Sequence, residues 1–196
     1  IFLMYYYTDV AGVPAAFVGT LFLVARIFDA ITDPMMGLIV DNTRSRYGKF
    51  RPWIVIGTLI NSAALMALFS AHEFTGSALL VFVTLSYLSW GITYTVMDIP
   101  FWSMVPALSF SREEREKLVV WPRLFASFAW MIMGACGLAA VDYLGGGSEG
   151  YGFFQLSGFV VLSFLASAAI TFFKVREQVS TAVASVRFKL RDVVEL

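Results

Sequence analysis

Three charged residues interrupt an otherwise apolar run: Arg26, Asp29 and Asp33, at i, i+3 and i+7. That spacing puts them on one helical face, with Thr32 adjacent. Two carboxylates one turn apart repel unless a cation, a proton or an arginine lies between them. Oxygen ligands of this kind suit Na⁺ or Li⁺, or, after protonation, H⁺. A structural Arg26–Asp29 ion pair is the bland alternative, but one arginine cannot neutralise both acids. A second stripe, Gly91, Thr95, Asp98 and Trp102, runs i, i+4, i+7 and i+11, with Tyr94 one turn before Asp98. Gly91 is expected to let a neighbouring helix approach closely. Thr95 can complete an oxygen shell begun by Asp29 and Asp33. Asp98 can accept hydrogen bonds from solute hydroxyls, and Trp102 offers a flat ring for stacking on a sugar. Arg123, in Val-Trp-Pro-Arg-Leu, can pair with Asp98, fork onto a polar ligand, or snorkel to an interface. If all are ionised, Asp29, Asp33 and Asp98 against Arg26 and Arg123 leave one negative charge, which a single monovalent cation would cancel.

The segments that carry these residues are of membrane length. Of 196 residues, 59% are hydrophobic and 14% charged, against about 25% charged in soluble domains. Zero formal net charge argues against a nucleic-acid partner. One cysteine, Cys136, and one histidine, His72, exclude an internal disulfide and a Cys/His metal cluster. No nucleophile–base grouping or cofactor motif supports an enzyme. The Gly145–Gly147 run lacks a partnering Lys and reads as a flexible turn.

The chain opens within an apolar run, IFLMYYY, too short to cross a bilayer, as if the first of six spans had lost its front half. Further spans are predicted at about 15–40, 53–69, 78–105, 118–141 and 151–173. Loops are expected at 41–52 and, strongly charged, at 109–117. The expected fold is therefore all-α and polytopic: a six-helix bundle over 1–173 and a linker over 174–196. Val183, Val186, Leu190 and Val193 give the linker an amphipathic, interfacial helix. All Lys and Arg except Arg26 and Arg123 fall in alternate loops or in the tail, which places those loops and the C-terminus in the cytoplasm. Arg26, Asp41, Arg44, Arg46 and Arg115 are candidates for a charge network that holds one conformation and breaks in another. Plain topology signalling suffices for Lys49 and Arg51.

Five stretches together resemble the melibiose-carrier type of the glycoside–pentoside–hexuronide:cation symporters, within the major facilitator superfamily. They are LMYYYTDV (3–10), VGTLFLVARIFDAITDPMMG (18–37), TRSRYGKFRPW (43–53), GITYTVMDIPFWSMVP (91–106) and REEREKLVVWPRLFAS (112–127). The resemblance implies the N-terminal six-helix half of a twelve-helix carrier in a bacterial inner membrane. It implies that Asp29, Asp33 and Thr95 serve the cation, and that Asp98, Arg123, Trp102 and Tyr94 serve the sugar. Thr32, a further candidate ion ligand, stands where enteric carriers typically have Asn. The implied activity is uptake of a melibiose-like galactoside with Na⁺, Li⁺ or H⁺. Its partners are the sugar, the ion, the bilayer and a C-terminal six-helix half. Alternatives are a glucuronide or pentoside:H⁺ symporter and a non-transporting membrane scaffold or sensor.

Overall fold

The computed structural model describes residues 2–109 and 111–175. Every regular element among them is helical. A short opening helix, α1 (Leu3–Tyr5), continues as a π-helix over Tyr6–Val10. Five longer helices follow: α2 (Ala15–Asp41), α3 (Arg51–Leu68), α4 (Gly76–Leu108), α5 (Arg112–Gly145) and α6 (Glu149–Lys174). All five are long and apolar enough to cross a membrane. Helices are the form expected there, because an apolar medium offers backbone N–H and C=O groups no partners outside the segment. The expected amphipathic helix of the tail lies outside the described residues.

Two helix starts depart from the sequence reading. Residues 112–117, expected in a loop, form the first turns of α5. Arg112 pairs with Glu116 at 3.0 Å and Lys117 with Glu113 at 2.9 Å, both i, i+4. Glu113 and Glu114 also lie in the first turn, where the helix dipole favours acids. The charge pattern that marks a cytoplasmic loop thus also satisfies a helix start. Thr8 to Val10, expected in a break, belong to the π-helical turn, and Thr8 Oγ1 donates to the Met4 carbonyl at 3.0 Å.

The α3–α4 contact is the most extensive, α3 and α5 both pack on α6, and α2 lies along α4. Glycine sets two of these crossings. A Cβ added at Gly57 of α3 would lie 2.7 Å from the Met97 backbone nitrogen of α4. A Cβ at Gly152 of α6 would lie 2.1 Å from the Val141 carbonyl oxygen of α5. By contrast, a Cβ at Gly91 would lie 3.6 Å from an Asp29 carboxylate oxygen, an ordinary contact. The close approach expected at Gly91 is therefore made elsewhere, by Gly57.

Two apolar layers hold the bundle, and a polar band separates them. One layer gathers Tyr6, Tyr7, Val18, Leu21, Leu68, Val83, Tyr87 and Phe153. The other gathers Met36, Val40, Phe50, Ile54 and Met104, toward the 42–50 loop. Between them, α2 presents Asp29 and Asp33, α4 presents Thr95 and Asp98, and α3 buries Thr58, Asn61 and Ser62. Large apolar side chains such as Leu23, Leu59, Val81, Phe125 and Phe173 remain exposed, as lipid-facing surface requires.

Candidate functional site

The site lies in the polar band, along the seam of α2 and α4. Asp29 and Asp33 stand on neighbouring turns of α2, and both are half-buried. Pro34 follows Asp33 directly. Proline has no N–H, so the Ala30 carbonyl loses its helical donor in the same turn. Pro100 does the same to the Val96 carbonyl, beside Asp98. Each acid thus sits where the helix's own ladder is interrupted.

Across the seam, Thr95 of α4 is buried and its hydroxyl reaches Asp33 Oδ1 at 2.9 Å. The Gly91 carbonyl lies 3.3 Å from the same hydroxyl. A threonine hydroxyl has one proton and two lone pairs. While it donates to Asp33, its oxygen can still coordinate a cation. Asp29, Asp33 and Thr95 therefore offer two carboxylates and a hydroxyl, a hard oxygen set suited to a small monovalent ion. The described residues hold no cluster of three or more His, Cys, Asp or Glu side chains that would suit a transition metal.

Arg26 pairs with Asp29 at 3.1 Å, although its own side chain is 71% exposed and that of Asp29 25%. The Tyr87 hydroxyl also faces Arg26. This local pair answers one acid and leaves Asp33 to Thr95. It also separates Arg26 from the proposed cytoplasmic network. Asp41 lies fifteen residues along the same helix, roughly 22 Å away at 1.5 Å per residue. Thr32, grouped with the cation ligands by sequence, turns its hydroxyl to the Phe28 carbonyl of its own helix at 3.1 Å.

The second half of the site continues along α4. Tyr94 donates to Asp98 Oδ1 at 3.3 Å. The Trp102 side chain and the Asp33 carboxylate complete the polar surroundings of Asp98. Arg123 of α5 is exposed, and its guanidinium carbon stands 5.5 Å from the centroid of the Trp102 ring. Among the described residues no ion pair joins Arg123 to Asp98. The sequence allowed that pairing; the fold instead stacks the cation on the indole. Arg123 lies eleven residues into α5, because the helix begins at Arg112, six residues before the apolar span itself. A carboxylate, a phenol, an indole and a guanidinium then line one side of the bundle, a set that can hydrogen-bond and stack on a polyhydroxylated ring.

At the opposite end of α2, Lys49 pairs with Asp41 at 2.8 Å. Arg46 donates to the Tyr47 hydroxyl at 2.7 Å, and Arg51 lies over the Phe172 ring at 5.0 Å. Of the two residues read from sequence as topology signals, Lys49 thus ties the 42–50 loop to α2, and Arg51, the first residue of α3, reaches α6. Arg44 is exposed and Arg115 half-buried.

The sequence reading missed Asn61. It is fully buried and bonds across to α4. Its signal was available: an amide one turn from a glycine, Gly57, inside an apolar span.

A family model described as MFS/sugar transport protein matches residues 1–194. The chain belongs to this family. Among relatives of this MFS/sugar transport chain, the inner membrane symporter YicJ of Escherichia coli (strain K12) is 35% identical over 98% of the chain and 42% of its own length. The putative glycoside/cation symporter YagG of the same organism is 32% identical, over 90% of the chain and 38% of its own length. The isoprimeverose transporter of Lactiplantibacillus pentosus is 32% identical, over 92% and 38%. The chain therefore spans about two fifths of the length of these curated relatives.

Proposed function

We propose that these residues form the ion- and sugar-binding half of a secondary active transporter. The full-length protein couples uptake of a glycoside to symport of Na⁺, Li⁺ or H⁺ in a bacterial inner membrane. Asp29, Asp33 and Thr95 hold the ion. Asp98, Tyr94, Trp102 and Arg123 hold the sugar, against a second helical bundle that closes the other side. The observation that carries this reading is the Thr95–Asp33 hydrogen bond, set in a polar band between two apolar layers. Carboxylates at membrane depth are costly and are retained where an ion or substrate passes.

Coupling follows from the continuity of α4. Thr95 and Asp98 lie one turn apart on the same helix. An ion bound by Asp33 and Thr95 fixes the turn that presents Asp98 to the solute. It also removes the negative charge left over in the band. The linkage is reciprocal, so the sugar tightens ion binding by the same factor. Alternating access then exposes the site, at mid-membrane between the two bundles, to each side in turn.

The test is Asp33→Asn in the full-length protein. Cation-stimulated accumulation of the sugar should disappear while the protein still reaches the membrane. Undiminished accumulation would refute the ion role.

A melibiose-like galactoside is the first solute to try. A pentoside reading is favoured by the relative named for isoprimeverose, and the glucuronides stand beside it. Competition among α-galactosides, glucuronides and xylosides, at several Na⁺, Li⁺ and H⁺ concentrations, separates these substrates and ions.

A further inference from the structure

The ligand stripe of α4 faces α2, yet the helix that supports α4 most extensively is α3. Two residues of α3, one turn apart, make that grip. Gly57 brings the α3 backbone against Val96 and Met97. Asn61, 0% exposed, donates through Nδ2 to the Trp90 carbonyl at 3.1 Å and to Thr93 Oγ1 at 3.0 Å. Trp90, Thr93 and Met97 are spaced i, i+3 and i+7. They form one face of α4, and Gly91, Thr95, Asp98 and Trp102 form another. α3 therefore holds α4 from behind at levels just above and just below Thr95.

The Trp90 carbonyl lies within reach of Asn61 and also of the Thr93 hydroxyl, at 3.1 Å. Both bonds fall on the turn that contains Gly91, whose carbonyl lies beside the Thr95 hydroxyl. An external anchor at this turn matters, because ligands must be held within about 0.5 Å of their working geometry.

We propose that Asn61 is a positioning residue for the cation site: it fixes the rotation of α4 so that Thr95 meets Asp33. The proposal rests on the cation-site reading above. It assigns Asn61 no contact with ion or sugar.

The experiment uses the full-length transporter and measures two constants. One is the concentration of the coupling ion (Na⁺ below, or Li⁺ or H⁺ where that is the ion that activates the parent) that half-maximally increases sugar binding; the other is sugar affinity at saturating ion. Asn61→Ala should raise the first by about three- to tenfold, the range of couplings carried by residues that touch neither ligand. The second should stay within about twofold. Asn61→Ser, which keeps one donor on a shorter arm, should fall between parent and Ala, and it replaces Ala if that variant does not reach the membrane. Ser62→Ala is the control. Ser62 is equally a buried polar residue of α3, but its Oγ has no hydrogen-bond partner among the described residues, so both constants should be unchanged.

An unmoved Na⁺ constant in the Asn61 variants, or equal shifts in both constants, overturns the positioning role. Asp33→Asn in the same assay separates the two levels. If it retains normal Na⁺ activation, the cation-site reading itself falls. If it loses activation while Asn61→Ala behaves as parent, only the role of Asn61 falls.

Discussion

Thr95 of α4 and Asp33 of α2 meet through a 2.9 Å hydrogen bond, although sixty-two positions separate them in the chain. One hydroxyl thereby joins the two helices that carry every proposed ion ligand. Thr95→Val keeps the shape and deletes the oxygen. The cation concentration for half-maximal sugar uptake should rise about tenfold or more, the scale of one hydrogen bond to a charged group. Thr95→Ser should stay close to the parent. Uptake assays across a Na⁺ series check both.

The Arg123–Trp102 stack makes a prediction about the solute. Trp102→Phe keeps a flat ring under the guanidinium at 5.5 Å, and Trp102→Ala removes it. Sugar affinity at saturating cation should fall about tenfold or more in the Ala variant and far less in the Phe variant. Arg123→Lys keeps the charge but loses the planar fork, so it should also weaken sugar binding. Calorimetric titration of purified protein separates these effects from changes in the ion constant.

Gly57 and Gly91 look alike in sequence and differ in space. A methyl at Gly57 must displace the Val96–Met97 backbone, whereas one at Gly91 meets only an ordinary contact. Gly57→Ala should cost about 1–3 kcal/mol of stability, as overpacking does. Gly91→Ala should change it by no more than about 0.5 kcal/mol. Thermal unfolding in detergent gives the comparison.

The charge partition predicts which side each loop faces. In the full-length protein with Cys136 and any further cysteine replaced by Ser, Ser148→Cys should react with a membrane-impermeant maleimide added outside intact cells. Ser45→Cys should react only after the membrane is opened. The reverse pattern would invert the topology.

Much of this architecture is legible from local signals. The five long helices follow from runs of apolar residues. The acids stand out because charge inside such a run is rare. The start of α5 was misplaced because six charged residues look alike in a loop and in a first helical turn. Only the i, i+4 pairing of Arg112 with Glu116 and of Glu113 with Lys117 tells them apart. The sequence places Thr32 beside the Asp29–Asp33 face, and the structure adds that its hydroxyl donates to the Phe28 carbonyl, which leaves its lone pairs open to an ion.

The sequence by itself determined that this chain lies in a membrane and which residues are expensive to keep there. Composition and periodicity act within one helix, and one helix is enough to raise that cost. Only the tertiary structure decided which partners meet that cost. Asp33 goes to Thr95, and Arg123 to Trp102 instead of Asp98, whereas the Arg26–Asp29 pair, at i, i+3 on one helix, was already open to the sequence. Such choices depend on how helices rotate and cross. At the α3–α4 crossing, a missing methyl at Gly57 lets the backbones approach and a buried amide at Asn61 bonds across.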